Sequence, residues 1–529
     1  MAALPQSHRV FRAIITCLIV VSTLAACSSL PDKVEHTPSY SLERAPDTAL
    51  ARELQPLLEQ NPELSGFLTL RQGESAFAAR LRLIEAAEFT IDAQYYIWHD
   101  DLTGRVLHNR LLAAADRGVR VRLLLDDLDT AGKDEILRHI DAHPNVEVRL
   151  FNPFANRDLR AGDFITDTRR VNHRMHNKTL TIDALATIFG GRNIGDEYFA
   201  ATTELGFGDL DALGIGPIAL EVSDQFDLYW NSDMAYPMAS FNWDEALDAP
   251  ATRAFREQSN AHLEAAIESE YAEVIRRFTS TYSQGIQDLA LVWSDWLLVY
   301  DQPDKLRQRE ITDGTHLAPK LLQGMENTQR DLIIVSPYFV PGEQFTAYLG
   351  TLVERGVRVR ILTNSLQAND VSLVHAGYMR YRRDLIEHGV ELYEYKANAT
   401  GITRSEREAK ARGERRIGAS RASLHAKFFG FDAEYLFVGS FNLDPRSVML
   451  NTELGAYYAS PGEAKDLSDR FDATALRIAY RVTLDEDGGL QWVTIEDGQE
   501  VRHDAEPDTT AWKRFSTRIL STFVPESQL

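Results

Sequence analysis

Two short segments carry the residues that could do chemistry. His176-Asn177-Lys178 is followed by Asp183, and His425-Ala426-Lys427 by Asp432, so HxKxxxxD occurs twice. Each copy has an asparagine downstream, Asn193 in GGRN and Asn442 in GSFN, and then a TELG tetrapeptide carrying Glu204 or Glu453. In an extended strand the side-chain period is two, so histidine and lysine of each copy share a face. An imidazole and an ammonium fixed side by side suit a phosphodiester. Neutral imidazole attacks phosphorus at neutral pH and splits one hard displacement into two easier ones. Lysine and asparagine supply donors to the oxygens on which charge develops. A second histidine beyond phosphorus protonates the departing alkoxide and then activates the acceptor hydroxyl. One motif supplies half of that machinery, and two supply all of it.

The elements that hold these residues repeat as well. ADRGVRVRLLLDD at 115–127 is echoed by VERGVRVRILTNS at 353–365, each reading as a helix end, a glycine cap and a strand. Apolar strands precede both, FTIDAQYYIW and LIIVSPYFV. MHNKTLTIDALATIFGGRN at 175–193 matches LHAKFFGFDAEYLFVGSFN at 424–442. One offset relates the paired histidines, lysines, aspartates, asparagines and TELG glutamates, whereas SDQFD and SDRFD recur at a slightly different one. A duplicated α/β unit with a largely parallel sheet accounts for this pattern. If each hairpin tip is Ala184-Leu185 or Ala433-Glu434, His176 lies opposite Asn193 and His425 opposite Asn442. Lys178 then faces Gly191, and Lys427 faces Ser440.

HNKTLTID with GGRN, and HAKFFGFD with GSFN, resemble the paired HKD motifs of the phospholipase D superfamily. VNHRMHNK, GGRNIGDEYF, DLDALGIGP, FDLYWNS and GSFNLDPRS are most similar to bacterial cardiolipin synthases, particularly the type C branch. The resemblance implies a duplicated phospholipase D fold: two α/β/α lobes with mixed sheets, related by a pseudo-twofold axis through one site. It makes His176 and His425 nucleophile and general acid, His176 favoured as nucleophile. Lys178, Lys427, Asn193 and Asn442 bind phosphate, with Ser440 beside them. Glu204 and Glu453 orient the histidines, while Asp183 and Asp432 complete the catalytic motifs from a distance, holding the hairpin. One HxKxxxxD alone is weak; two with matching downstream residues are not. Gly191 stands where the second copy has Ser440, so the half-sites are unequal.

The implied reaction moves a phosphatidyl group between membrane phospholipids, phosphatidylglycerol and phosphatidylethanolamine being the expected substrates. Hydrolysis to phosphatidic acid is the alternative, since one phosphohistidine partitions between water and an alcohol. A non-catalytic lipid-binding envelope lipoprotein is the reading from another class, opposed by the intact motifs. No cofactor is required, and no histidine or carboxylate cluster with metal-ligand spacing stands out.

The remaining chain sets the context. Its 529 residues, 44% hydrophobic, suffice for several cores, and the net charge of −22 argues against a broad nucleic-acid surface. Arg9 and Arg12 precede an apolar run ending in LAAC, which resembles a lipoprotein signal at 1–27 with Cys27 as the acylated residue. Ser28 then favours the outer membrane, the protein facing the periplasm on a lipid anchor. Cys17 and Cys27 are the only cysteines. A tether at 28–60, repeats at 61–235 and 316–485, a helical connector at 236–315 and an extension at 486–529 complete the expected plan. QWVTIEDGQEVRH reads as a hairpin, and Trp512, Phe515, Ile519 and Phe523 form an apolar helix face expected to pack on the body. RSEREAKARGERRIGASR at 404–421 either holds anionic head groups or is a solvated loop. A helper protein is left open.

Overall fold

The computed structural model describes residues 30–31, 38–43, 47–201, 205–241, 243, 246–282, 286, 289–399, 421–523 and 525. Cys27, Glu204 and all but the last residue of the basic stretch at 404–421 lie outside them.

Two large mixed sheets dominate, one of nine strands and one of ten. In the first, Val146–Phe151, Arg120–Asp126 and Thr90–Tyr95 run parallel and are followed by Thr179–Ile182, Ala186–Gly190, Asp211–Ile215 and Ser65–Leu70. The second repeats that order with Glu391–Tyr395, Arg358–Asn364, Asp331–Val335, Phe428–Phe431, Tyr435–Gly439, Leu454–Ala459 and Trp296–Tyr300. Strand alternation divides the apolar residues. Ile91, Ala93, Ile188 and Leu213 enter the first lobe's own core. Phe67, Phe189 and Ala212 instead join Ile333, Val335, Val438 and Ala456 in a core shared by both sheets, where Phe67 stacks on Tyr458 at 4.4 Å.

The repeated charges have a structural use. Arg122 bonds Asp92 and Asp227, each at 2.7 Å, and Arg360 bonds Asp331 and Asp472. Asp227 and Asp472 end SDQFD and SDRFD, so each echo is a clamp between a strand and the closing helix of its copy, Pro217–Trp230 or Pro461–Ile478. Burying a guanidinium demands such paired carboxylates.

Several boundaries differ from the sequence reading. Within the expected tether, Ala49–Gln60 is a helix with Leu50 and Leu54 buried, and Ser39 and Ser41 bond Asn231 and Asp227. Thr48 caps that helix by accepting from Ala51 N–H, which lets it start despite its polar flank. The connector contains helices Ala249–Ile267 and Glu270–Tyr282 but ends in strands, Val292–Ser294 in the first sheet and Trp296–Tyr300 in the second. The second lobe therefore begins before residue 316. The expected C-terminal hairpin forms, Leu490–Glu496 pairing with Gln499–His503. Helix Ala511–Phe523 follows and packs on helix Ser372–Tyr378, but Trp512, Phe515 and Ile519 face outward rather than onto the body. Polar contacts hold it instead, among them the Lys513 ammonium donating to Gln367 Oε1 at 3.0 Å.

Candidate active site

Each histidine is delivered by a short parallel ribbon that crosses between repeats. Arg174–Met175 pairs with Asn451–Thr452, and His176 N–H donates to the Thr452 carbonyl at 2.9 Å. Arg421–Leu424 pairs with Leu205–Gly208, and His425 N–H donates to the Gly208 carbonyl at 2.8 Å. The residue after each partner strand is a carboxylate. His176 Nδ1 thus lies 2.8 Å from Glu453 Oε2, and His425 Nδ1 lies 2.6 Å from Asp209 Oδ2. Each imidazole is oriented by the other repeat, its Nε2 turned away from the carboxylate. The ribbons are pinned from the ends of equivalent strands. Asp126 accepts from Met175 N–H and pairs with Arg174, while the Asn364 amide bonds both backbone groups of Leu424.

Asp209 is the residue that the sequence reading missed. TELG suggested Glu204 as the counterpart of Glu453, but Gly191 N–H bonds the Leu210 carbonyl just as Ser440 N–H bonds that of Leu454. Asp209 is therefore the structural equivalent of Glu453. The signal was present: the changed offset between TELG and SDQFD marks extra residues in the first copy at that point.

The inequality of Gly191 and Ser440 now has a cause. Ser440 Oγ donates to Glu453 Oε2 at 2.5 Å, and Ser447 Oγ donates to Oε1 at 2.9 Å. At Gly191 a Cβ would stand 2.1 Å from Asp209 Oδ1, so only glycine leaves room for that shorter carboxylate.

The hairpins are shifted by one residue from the expected register. Thr179 pairs with Phe189 and Phe428 with Val438, so Lys427 faces Gly439, whose N–H donates to the lysine carbonyl at 3.3 Å. The tips carry consecutive left-handed residues, Asp183 and Ala184 at φ 51° and 54°, Asp432 and Ala433 at 54° and 56°. Aspartate tolerates that conformation, which replaces the absent glycine or asparagine. Each carboxylate also accepts three consecutive backbone N–H groups, Glu88 to Thr90 for Asp183 and Gln329 to Asp331 for Asp432. The aspartates sit at the far end of the hairpin, about 20 Å of extended chain from the imidazoles.

The other expected residues gather around the histidines. Lys178 and Lys427 are buried, their ammonium groups turned back onto the carbonyls of His176 and His425. Asn193 is occupied, accepting from Ile97 N–H and donating to the Tyr198 hydroxyl at 3.0 Å. Asn442 Oδ1 is buried and has no partner among the described residues. Tyr96 meets His176 edge-on at 4.9 Å, and Tyr198 meets His425 at 5.1 Å; neither tyrosine was singled out from sequence.

Burial and the adjacent lysines push His176 well below the ordinary imidazole range. His425 is also lowered by burial and by Lys427, with Asp209 opposing. Burial raises Glu453 to about 7 and lowers Lys427 to about 8, and it drives Lys178 well down. Asp209 differs. Burial works against its ionisation, yet His425, Lys427 and Arg192 hold it well below the usual carboxylate range. The site thus brings two buried lysines together, each with its charged form disfavoured by burial. Among the described residues, one group with metal-ligand proximity occurs outside this centre, His99, Asp101 and Glu197.

A duplicated α/β fold whose two HxKxxxxD histidines meet in one buried centre defines a phospholipase D-like protein. The family described as cardiolipin synthase, PLD-like domain matches residues 81–230 and 321–475, and the chain belongs to it. Over 477 residues it is 43% identical to cardiolipin synthase C of Escherichia coli (strain K12), covering 89% of this chain and 98% of that one. Cardiolipin synthase B of the same strain is 26% identical over 385 residues, 73% of this chain and 74% of the relative. Phosphatidylserine synthase of Haemophilus influenzae Rd KW20 shares the fold, with a TM-score of 0.51 at 16% identity, covering 81% of this chain and 91% of that one.

Proposed function

We propose that this protein is a phosphatidyltransferase that passes a phosphatidyl group between phospholipids through a phosphohistidine on His176. The carrying observation is the pair of buried imidazoles, each held at Nδ1 by a carboxylate of the other repeat. His176 is lowered well below the imidazole range, as a neutral nucleophile requires, whereas at His425 the Asp209 carboxylate opposes the lowering by burial and Lys427 and leaves that imidazole the more readily protonated of the two, as an acid requires. His176 Nε2 attacks phosphorus, forming the P–N bond as the P–O bond to the leaving head-group alcohol breaks. His425 gives its proton to that alkoxide. The acceptor hydroxyl then returns a proton to His425 and attacks phosphorus, breaking P–N and restoring His176. Lys178, Lys427 and Asn442 hold the phosphoryl oxygens throughout, and Asn193 positions Tyr198 against His425.

The relationship to cardiolipin synthase C supports cardiolipin as the product; in this reading phosphatidylglycerol is the acceptor and phosphatidylglycerol or phosphatidylethanolamine the donor. LAAC at 24–27 supports acylation of Cys27, and Ser28 after it supports an outer-membrane anchor facing the periplasm. No described helix is long and apolar enough to cross a membrane.

The test is to incubate purified protein with labelled phosphatidylglycerol and phosphatidylethanolamine in mixed micelles and resolve the lipid products. Cardiolipin formed by the intact protein and not by His176→Ala or His425→Ala is the expected result. Phosphatidic acid without cardiolipin would replace transfer by hydrolysis. With phosphorus-labelled donor, His425→Ala should retain acid-labile label on the protein and His176→Ala should not.

A further inference from the structure

Two elements whose contacts lead back to the catalytic centre carry apolar side chains that stand exposed among the described residues. Helix Ala511–Phe523 lies against helix Ser372–Tyr378, with Thr517 buried and Lys513 bonded to Gln367. Gln367 belongs to the turn that leaves strand Arg358–Asn364 and leads to Asp370. Asp370 accepts from the Tyr338 hydroxyl at 2.8 Å, and its field reaches Lys427. The C-terminal helix is thereby fixed beside the catalytic centre. Its outward face presents Trp512, Phe515 and Ile519, which are 73%, 54% and 44% exposed, and Val371 and Leu373, at the start of the helix it packs on, are exposed as well.

The first lobe offers a matching rim. Leu159, Phe164 and Ile165 stand out at helix Arg160–Thr166, with Ile165 73% exposed. Arg160 ties that helix to Thr130, just beyond the end of strand Arg120–Asp126.

Charge distinguishes the possible occupants of this surface. The chain carries −22 overall, yet Ala511–Phe523 contains Lys513, Arg514 and Arg518 and no acidic residue. A cationic helix with tryptophan, phenylalanine and isoleucine on its open face suits the boundary between anionic head groups and acyl chains.

We infer that the two rims seat the protein on a phospholipid bilayer, Trp512, Phe515 and Ile519 entering the head-group boundary and the site mouth facing the lipid. The inference deepens the phosphatidyl-transfer reading and rests on it. It explains how a buried centre takes substrates that leave a bilayer reluctantly: the mouth is held where the head groups are.

The experiment uses the full chain with vesicles of phosphatidylethanolamine and phosphatidylglycerol carrying brominated acyl chains, which quench nearby tryptophan fluorescence. Quenching by vesicles is expected, and most of it should disappear in Trp512→Phe. Joint replacement of Trp512, Phe515 and Ile519 by serine should cut turnover of vesicle lipid by about 10-fold or more, given the apolar area withdrawn from the interface. Turnover of a short-chain phospholipid dissolved as monomers should be unchanged, which also shows that the variant folds. Equal quenching in the intact protein and Trp512→Phe overturns the inference. So does a concentration-dependent dimer that the triple replacement abolishes. Quenching needs no turnover, so Trp512-dependent quenching without any lipid product would sink the transfer reading and leave the docking surface standing.

Discussion

At the scale of residues, the two half-sites differ in how each carboxylate is held, and that difference is testable. Glu453 is gripped by two serine hydroxyls, whereas Asp209 occupies the space vacated at Gly191. Gly191→Ser should displace Asp209 and cost about 10²-fold in kcat, the scale set by misplacing a reacting group by roughly 1 Å. Ser440→Gly should cost only about 10-fold, because Ser447 still bonds Glu453. Steady-state assays of both variants check the ranking.

The pH profile belongs to the same scale. In the proposed reaction Glu453 must be ionised to support His176, and Lys427 must be charged to hold phosphate. With burial placing them at about 7 and about 8, kcat/KM should rise through the first value and fall through the second, a narrow bell. Glu453→Gln should lower the rate and remove the acid limb. Stability follows with opposite sign. The folded value of Glu453 lies above its ordinary 4.5, so stability is lost as pH rises from there through about 7. Thermal melts above pH 7 should therefore find Glu453→Gln more stable than the parent, and melts below pH 4 should find little difference.

At the scale of elements, the conserving feature of both motifs is the stapled hairpin. Asp183 and Asp432 each satisfy three backbone N–H groups at the start of the neighbouring strand while occupying a left-handed tip. Alanine at either position strands those donors and keeps the unfavourable φ. Asp183→Ala should thus lose about 2–4 kcal/mol of stability, and Asp432→Ala less, since its tip is more exposed. Denaturant melts measure the loss. Because neither carboxylate reaches the imidazoles, activity below the melting range should fall by less than about 10-fold, against about 10³-fold or more for His176→Ala.

At the scale of the whole molecule, the site exists only where the repeats interlock. The carboxylate of each histidine comes from the opposite repeat, and the sheets share a core through Phe67, Phe189, Val438 and Tyr458. One chain therefore holds a complete centre. Mixing His176→Ala with His425→Ala protein should restore no activity, because each chain retains one defective centre and has no separable half to lend. Recovered turnover would show that the lobes exchange between chains.

What the sequence by itself determined is what repetition and local chemistry encode. The paired HxKxxxxD segments, the duplicated strand–helix order and the C-terminal hairpin were all legible, because periodicity, glycine punctuation and internal echo are local signals. Tertiary structure decided what depends on contacts distant in sequence. It gave His425 the carboxylate of Asp209 because the ribbon Leu205–Gly208 ends there, a placement set by pairing with Arg421–Leu424. It shifted both hairpins by one residue because the tip aspartates bond strands about 100 residues away. It turned Trp512, Phe515 and Ile519 outward, since helical periodicity shows that an apolar face exists but not what covers it. Which partner each polar group finds is settled only when the chain closes on itself, and in this protein that closure assembles the site.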